Sequence, residues 1–158
     1  QHLRVKPDLT VVTNGMYTVN ELARLLPAAT VISTGGLLRD LSFTYVGPHV
    51  ETMLSTLHVD SFFTSATGFS VEGGLTDPNP LEAQVRKQMI RCAEQVIVLL
   101  DSTKFGMVST IRLAAADEID VLITDAGAPP RELERLRELG VEVRVVGGTE
   151  RRDPRDRT

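Results

Sequence analysis

The sequence predicts an α/β fold: a mostly parallel sheet flanked by helices, in a Rossmann-like three-layer architecture. Three observations predict it. Short apolar runs alternate along the chain with segments of helical periodicity. Several runs are continuous, Val96-Ile97-Val98-Leu99-Leu100 above all, as in strands covered on both faces. Small polar residues and glycines follow run after run, as they do where strands end at a ligand-binding edge.

Taken in order, the β-branched run of Thr10–Thr13 reads as a strand, followed by a helix over Tyr17–Leu26. A second strand is expected at Thr30–Ser33, a helix at Gly47–Leu57 and a strand at Ser61–Ser65. A helix over Pro80–Glu94 leads into the apolar strand Gln95–Leu100, and Val121–Thr124 forms the next strand. The helix over Pro130–Leu139 carries the expected punctuation, Pro129-Pro130 at its start and Gly140 past its end. Val141–Val146 closes the series as a strand.

At 158 residues the chain has the length of one domain, expected over residues 1–149. Residues 150–158, ERRDPRDRT, contain nothing apolar to bury and read as a disordered, solvated tail. The chain starts at Gln1, so a fragment of a longer protein is expected. A net charge of -4 argues against this segment gripping nucleic acid, which needs a basic surface. One cysteine, Cys92, permits no internal disulfide and fits a reducing, cytoplasmic compartment; it falls in an apolar helical stripe and reads as a core residue. No apolar run reaches the roughly 18 residues of a membrane span.

The loops after the strands hold the polar chemistry: Thr13-Asn14-Gly15, Ser33-Thr34-Gly35-Gly36, Thr64 to Gly68, Asp101 to Gly106 and Thr124 to Gly127. Any one of them alone also reads as a turn. Their repetition at one sheet edge points to a binding site, with glycine allowing close approach and N–H and hydroxyl groups holding anions. None matches a P-loop or a G-x-G-x-x-G turn, so a nucleotide is not indicated.

The helix after Pro80 is more specific. At about 100° per residue, Leu81, Ala83, Val85, Met89, Ile90, Cys92 and Ala93 fill one arc, opposite Gln84, Lys87, Gln88 and Arg91. Glu82 and Arg86 lie inside the apolar arc, four residues apart with the acid first. They can pair with one another, or meet a ligand if the arc faces a pocket. Arginine suits phosphate through its planar, bidentate fork. Asp101, just past a buried run, can accept hydroxyl hydrogen bonds, with the positive Lys104 three residues on. Both also read as surface charges. Glu72-Gly73-Gly74-Leu75-Thr76-Asp77 with Pro78-Asn79-Pro80 reads as a long polar loop. His2, His49 and His58 have no metal-ligand spacing, and no nucleophile elbow is present, so no metal, cofactor or catalytic residue is expected.

Six motifs, in order, resemble one family. They are Thr10-Val11-Val12-Thr13-Asn14, Gly35-Gly36 with Leu38-Arg39, Val46-Gly47-Pro48, Ser70 to Thr76, Asp101 to Gly106 (D-S-S-K-F-G in the family) and Ile119 to Asp125. Over roughly residues 8–146 the series resembles the C-terminal sensor domain of DeoR-type bacterial transcription regulators. The resemblance implies a fold shared with ribose-5-phosphate isomerase, glucosamine-6-phosphate deaminase and CoA transferases. It implies a phosphorylated sugar as effector, assembly as a homo-oligomer (dimer or tetramer), and DNA contact only through an upstream helix-turn-helix outside this chain. A repressor of sugar-metabolism genes is the expected output, and a related isomerase, deaminase or transferase is the alternative. The candidate ligand-binding residues are then Thr13, Asn14, Gly35, Gly36, Thr67, Gly68, Glu72, Gly73, Glu82, Arg86, Asp101 and Lys104. Three departures stand out. The family's opening strand and D-S-G-T-T loop have no counterpart in this sequence, whose Gln1-His2-Leu3 matches the end of the helix that follows them, Thr67 stands where the family has an acid, and Arg86 stands where it has lysine.

Overall fold

A computed structural model describes residues 8–147; His2 and the tail over 150–158 lie outside the described residues. The chain forms two compact units. The first runs to His58 and takes in Leu81–Cys92; the second holds Val59–Pro80 and the chain from Ala93 on.

In the first unit, β1 (Leu9–Thr13) leads through α1 (Met16–Leu22) to β2 (Ala29–Ser33). The two strands are parallel, with Val11 opposite Val31 and Thr13 opposite Ser33. The helix is shorter than its expected span to Leu26: Ala23–Leu25 tighten into a 3-10 turn and Leu26 is extended. Pro27 is the reason, since a residue before proline is pushed out of the helical region. A hairpin that the sequence did not announce follows, β3 (Leu37–Leu38) antiparallel to β4 (Tyr45–Val46). Then come α2 (Pro48–Leu54), with proline in its first turn, and α3 (Pro80–Arg91). Leu22, Val46, Val50, Leu54, Ala83, Val85 and Met89 are buried. Gly36 has φ +108, and a Cβ there would lie 2.5 Å from Val50 Cγ2 and 3.0 Å from the Val46 carbonyl oxygen.

The second unit holds β5 (Val59–Thr64), β6 (Gly68–Ser70), β7 (Gly74–Asp77), β8 (Ala93–Leu99), β9 (Ile111–Ala114), β10 (Val121–Asp125), α4 (Pro130–Glu138) and β11 (Glu142–Val146). Strands β11, β10, β8 and β5, in that order, form a four-stranded sheet in which every pairing is parallel. This parallel sheet, connected through helices, is the α/β class expected. Asp120 stitches its near end: its carboxylate accepts from the Val96 N–H at 2.7 Å, its N–H donates to Val96 and its carbonyl accepts from Glu142. The helix α4 ends in a Schellman motif, with the Gly140 N–H on Arg137 O and the Val141 N–H on Leu136 O.

Strands β6, β7 and β9 form an antiparallel sheet. Gly74–Asp77, expected in a polar loop, is therefore a strand, and every residue of it is buried. Its polarity is internally satisfied, because Thr76 Oγ1 donates to Gly68 O at 3.1 Å and accepts from the Ser109 N–H at 2.9 Å. A second correction concerns the end of α3. The helix stops at Arg91, and Ala93 and Glu94, expected as helical, open β8, where Ala93 pairs with Val59.

The two faces of the parallel sheet differ. Thr64, Val96, Val98, Leu122 and Thr124 line a buried face. On the other, Phe63 is 62% exposed and Leu99 46% exposed, beside half-buried Ile97 and Ile123. An apolar run without alternation marks a strand interior to a sheet; it does not reveal what covers each face.

Candidate functional site

The twelve candidate residues divide six and six between the units. In the first unit, Thr13 ends β1 and its Oγ1 accepts from the Gly15 N–H at 3.1 Å. The Asn14 side chain donates to the Tyr45 carbonyl at 3.0 Å, while the Tyr45 N–H donates to Asn14 O at 2.7 Å. This fastens the strand-end loop to the β3–β4 hairpin. The next residue back in the hairpin, Thr44, reaches α3: its hydroxyl donates to Glu82 Oε1 at 3.4 Å and also bonds Ser42 Oγ at 2.8 Å. Gly35 and Gly36 both hold positive φ, and they carry the chain from β2 into the same hairpin.

Glu82 and Arg86 do pair as expected, with Oε2 3.9 Å from Arg86 Nη2. The sequence did not single out the third member. Arg39 Nη1 lies 3.4 Å from Glu82 Oε1, and the Arg39 and Glu82 side chains are only 17% and 14% exposed. A two-residue strand carries no periodicity, so only the Gly35-Gly36-Leu37-Leu38-Arg39 motif could have pointed to it. The first unit thus links Asn14 to Glu82 by hydrogen bonds at the successive hairpin residues Tyr45 and Thr44, with Arg86 and Arg39 facing Glu82 as ion pairs and Thr13 bonded within its own turn.

In the second unit, Gly68 opens β6 and Thr67 precedes it. Thr67 Oγ1 donates to Asp77 Oδ2 at 3.5 Å, so a carboxylate stands beside the position where the family's acid is replaced. A Cβ on Gly68 would lie 2.4 Å from Met107 O, so only glycine allows the 101–110 loop this close. The loop is further tied by the Gly106 N–H on Phe69 O at 2.8 Å and by an edge-on contact of the Phe69 and Phe105 rings. Asp101 caps the short turn Ser102–Lys104, accepting from the Thr103 N–H at 3.0 Å and from the Thr103 hydroxyl. The Thr103 hydroxyl, then its N–H and Lys104, hold the Asp101 carboxyl below the usual range. Asp125, at the end of β10, accepts from Ser102 N–H at 2.6 Å and Gly127 N–H at 2.8 Å, which depresses its carboxyl likewise. The unit therefore knits Thr67, Gly68, Asp101 and Lys104 into one group of loops.

Glu72 and Gly73 are held differently. Glu72 Oε1 is 2.6 Å from Arg135 Nη1 on α4, and the neighbouring Val71 N–H donates to Glu132 at 3.3 Å. A hydrogen bond from its own backbone, then Arg135, lowers the Glu72 carboxyl below its ordinary value. The Gly73 N–H donates to Ser70 Oγ at 2.9 Å. Cys92 is buried, its Sγ on Met89 O at 3.3 Å, and burial pushes its thiol up. Among the described residues no three acidic, histidine or cysteine side chains gather as a metal site, and no helix is long and apolar enough to cross a membrane.

The family model described as the DeoR C-terminal sensor domain matches residues 1–126. This chain belongs to the DeoR family of transcription regulators. Its DeoR relatives include YulB of Bacillus subtilis, an uncharacterized HTH-type transcriptional regulator, at 37% identity over 90% of this chain and 56% of that protein. The HTH-type transcriptional regulator GolR of Listeria innocua is 36% identical over 87% of this chain and 54% of its own length. The L-fucose operon activator of Haemophilus influenzae is 32% identical over 78% of this chain and 50% of its own. The DeoR sensor chain thus spans about half the length of the curated relatives it matches.

Proposed function

We propose that the effector of this sensor domain is a phosphorylated sugar, and that its binding controls a DNA-binding module elsewhere in the complete protein. The observation that supports this best is Arg86, a guanidinium set into the apolar arc of α3 and paired with Glu82. Arg86 and the Thr13-Asn14 edge offer donors to phosphate. In the first unit Glu82 offers an acceptor to a sugar hydroxyl and Gly35 and Gly36 shape the backbone; in the second Asp101 offers an acceptor, Lys104 offers a charge, and Thr67, Gly68, Glu72 and Gly73 shape the loops. Control works by population shift in a homo-oligomer: the effector favours one arrangement and so alters DNA affinity by its differential binding energy.

No turnover is part of this reading. Hydrogen bonds from Thr103 lower the Asp101 carboxyl from its ordinary value, which suits it to accept from a sugar hydroxyl. Sugar phosphate returned altered after incubation with the complete protein would overturn that point.

The test is thermal unfolding of the complete protein with a panel of sugar phosphates and the matching free sugars. A ligand at a hundred times its dissociation constant stabilises by about 2.7 kcal/mol, an easily read rise in melting temperature. Arg86→Ala and Asp101→Ala should each weaken that ligand by about tenfold or more. Unchanged affinity in both variants removes the proposed site; stabilisation by free sugars alone removes the phosphate.

A further inference from the structure

Arg39 stands apart from the residues assigned to the ligand so far. Its side chain is 17% exposed, although it sits on a two-residue strand's shoulder. Its backbone is pinned on both sides, with its N–H on Thr44 O and its carbonyl accepting from the Phe43 N–H, both at 3.0 Å. A guanidinium does not lose its proton in a protein, so an enclosed one must be met by acceptors. Among the described residues, the one carboxylate that meets it is Glu82. That carboxylate is shared. Its Oε1 also receives the Thr44 hydroxyl, and its Oε2 faces Arg86. Arg39 Nη1 is shut off from solvent and makes no hydrogen bond, so its 3.4 Å approach to Glu82 is charge attraction without bonding geometry.

A buried, charged donor with no acceptor is costly to maintain in an otherwise satisfied cluster. An anion bearing several oxygens in different directions would satisfy it, and the planar fork of arginine fits a phosphate monoester. We propose that Arg39 is an anion-recognition residue: its guanidinium, part of which is exposed, turns so that Nη1, closed to solvent as it stands, donates to a phosphate oxygen, with Glu82 holding the charge at the site before the anion arrives. This rests on the phosphorylated-sugar reading above and gives it a residue that the sequence did not assign. Glu82 then has a second consequence. Its negative charge opposes an incoming phosphate, so it sets how tightly the anion is held.

The experiment titrates inorganic phosphate, then sugar phosphates, into the full chain and into Arg39→Gln and Glu82→Gln, following arginine side-chain N–H signals by NMR. In the wild type the Arg39 signal shifts on saturation. Arg39→Gln, confirmed folded by circular dichroism, weakens phosphate by about tenfold or more, the size expected for a lost charged hydrogen bond. Glu82→Gln tightens inorganic phosphate several-fold, because the repulsion it removes outweighs the loss of its hold on Arg39. If Arg39→Gln does not fold, Glu82→Gln decides: unchanged or weaker phosphate binding overturns the proposal. If sugar phosphates bind wild type and Arg39→Gln equally, the Arg39 assignment is wrong and the effector reading stands. If sugar phosphates fail but another anion, such as a sugar carboxylate, binds in an Arg39-dependent way, the assignment stands and the effector reading is wrong. If no anion binds, both fall.

Discussion

Single atoms decide much of this molecule's tolerance to change. Gly74 has φ +72, and a Cβ there would lie 2.0 Å from the Ala114 carbonyl oxygen. Gly140 has φ +91 and open space around it. Gly140→Ala should cost about 1–2 kcal/mol, the conformational penalty alone. Gly74→Ala should cost about 3 kcal/mol or more, because β7 and β9 must also part. Equal losses in denaturant melts would show that the Ala114 approach is soft. Asp125 gives a pH signature. Its folded carboxyl titrates below its unfolded value because Ser102 and Gly127 donate to it. The stability it adds is present above about pH 4 and is lost as pH falls through the depressed value. The melting-temperature gap between wild type and Asp125→Asn should therefore be widest near neutrality and close in acid; a gap independent of pH would contradict the clamp. Residue chemistry was partly legible. The Glu82–Arg86 pair and the buried Cys92 follow from helical phase alone, whereas Arg39 meets Glu82 across 43 positions of sequence, a contact that no local pattern encodes.

At the scale of elements, length decided what could be read. The strands β1, β2, β5, β8, β10 and β11 carry enough apolar residues to declare themselves, and α4 carries its own stop signal. The hairpin strands β3 and β4 have two residues each, too few to show alternation. Strand β7 is polar and glycine-rich, and its burial comes from partners rather than composition. The boundary between α3 and β8 was missed because Cys92, Ala93 and Val96 are apolar in either state. The α4 helix offers a direct check on its buried face. Leu136 is fully buried, so Leu136→Ala should cost about 2–5 kcal/mol. Leu139, 48% exposed one turn on, should cost under about 1 kcal/mol as alanine. Similar losses at the two positions, measured by urea unfolding, would mean that α4 does not pack through Leu136.

At the scale of the whole molecule, the fold class and family were legible because they rest on order: strand, polar loop, helix, repeated, with motifs in fixed succession. The division into two units was not, since the chain crosses between them three times, after His58, Pro80 and Cys92, and none of those points looks like a linker. The unequal faces of the parallel sheet were also hidden. Phe63 and Leu99 leave a ring and an isobutyl group open to water beside Ile97 and Ile123. For anyone handling this chain alone, that surface governs shelf life. A dye that fluoresces on greasy surfaces should brighten on the native protein, and light scattering should climb with concentration and with sulfate. Phe63→Lys should quieten both while moving the melting point by no more than a few degrees. If dye and scattering are silent in the wild type, the patch is already sheltered in solution, and the sheet wears a cover that this chain supplies to itself.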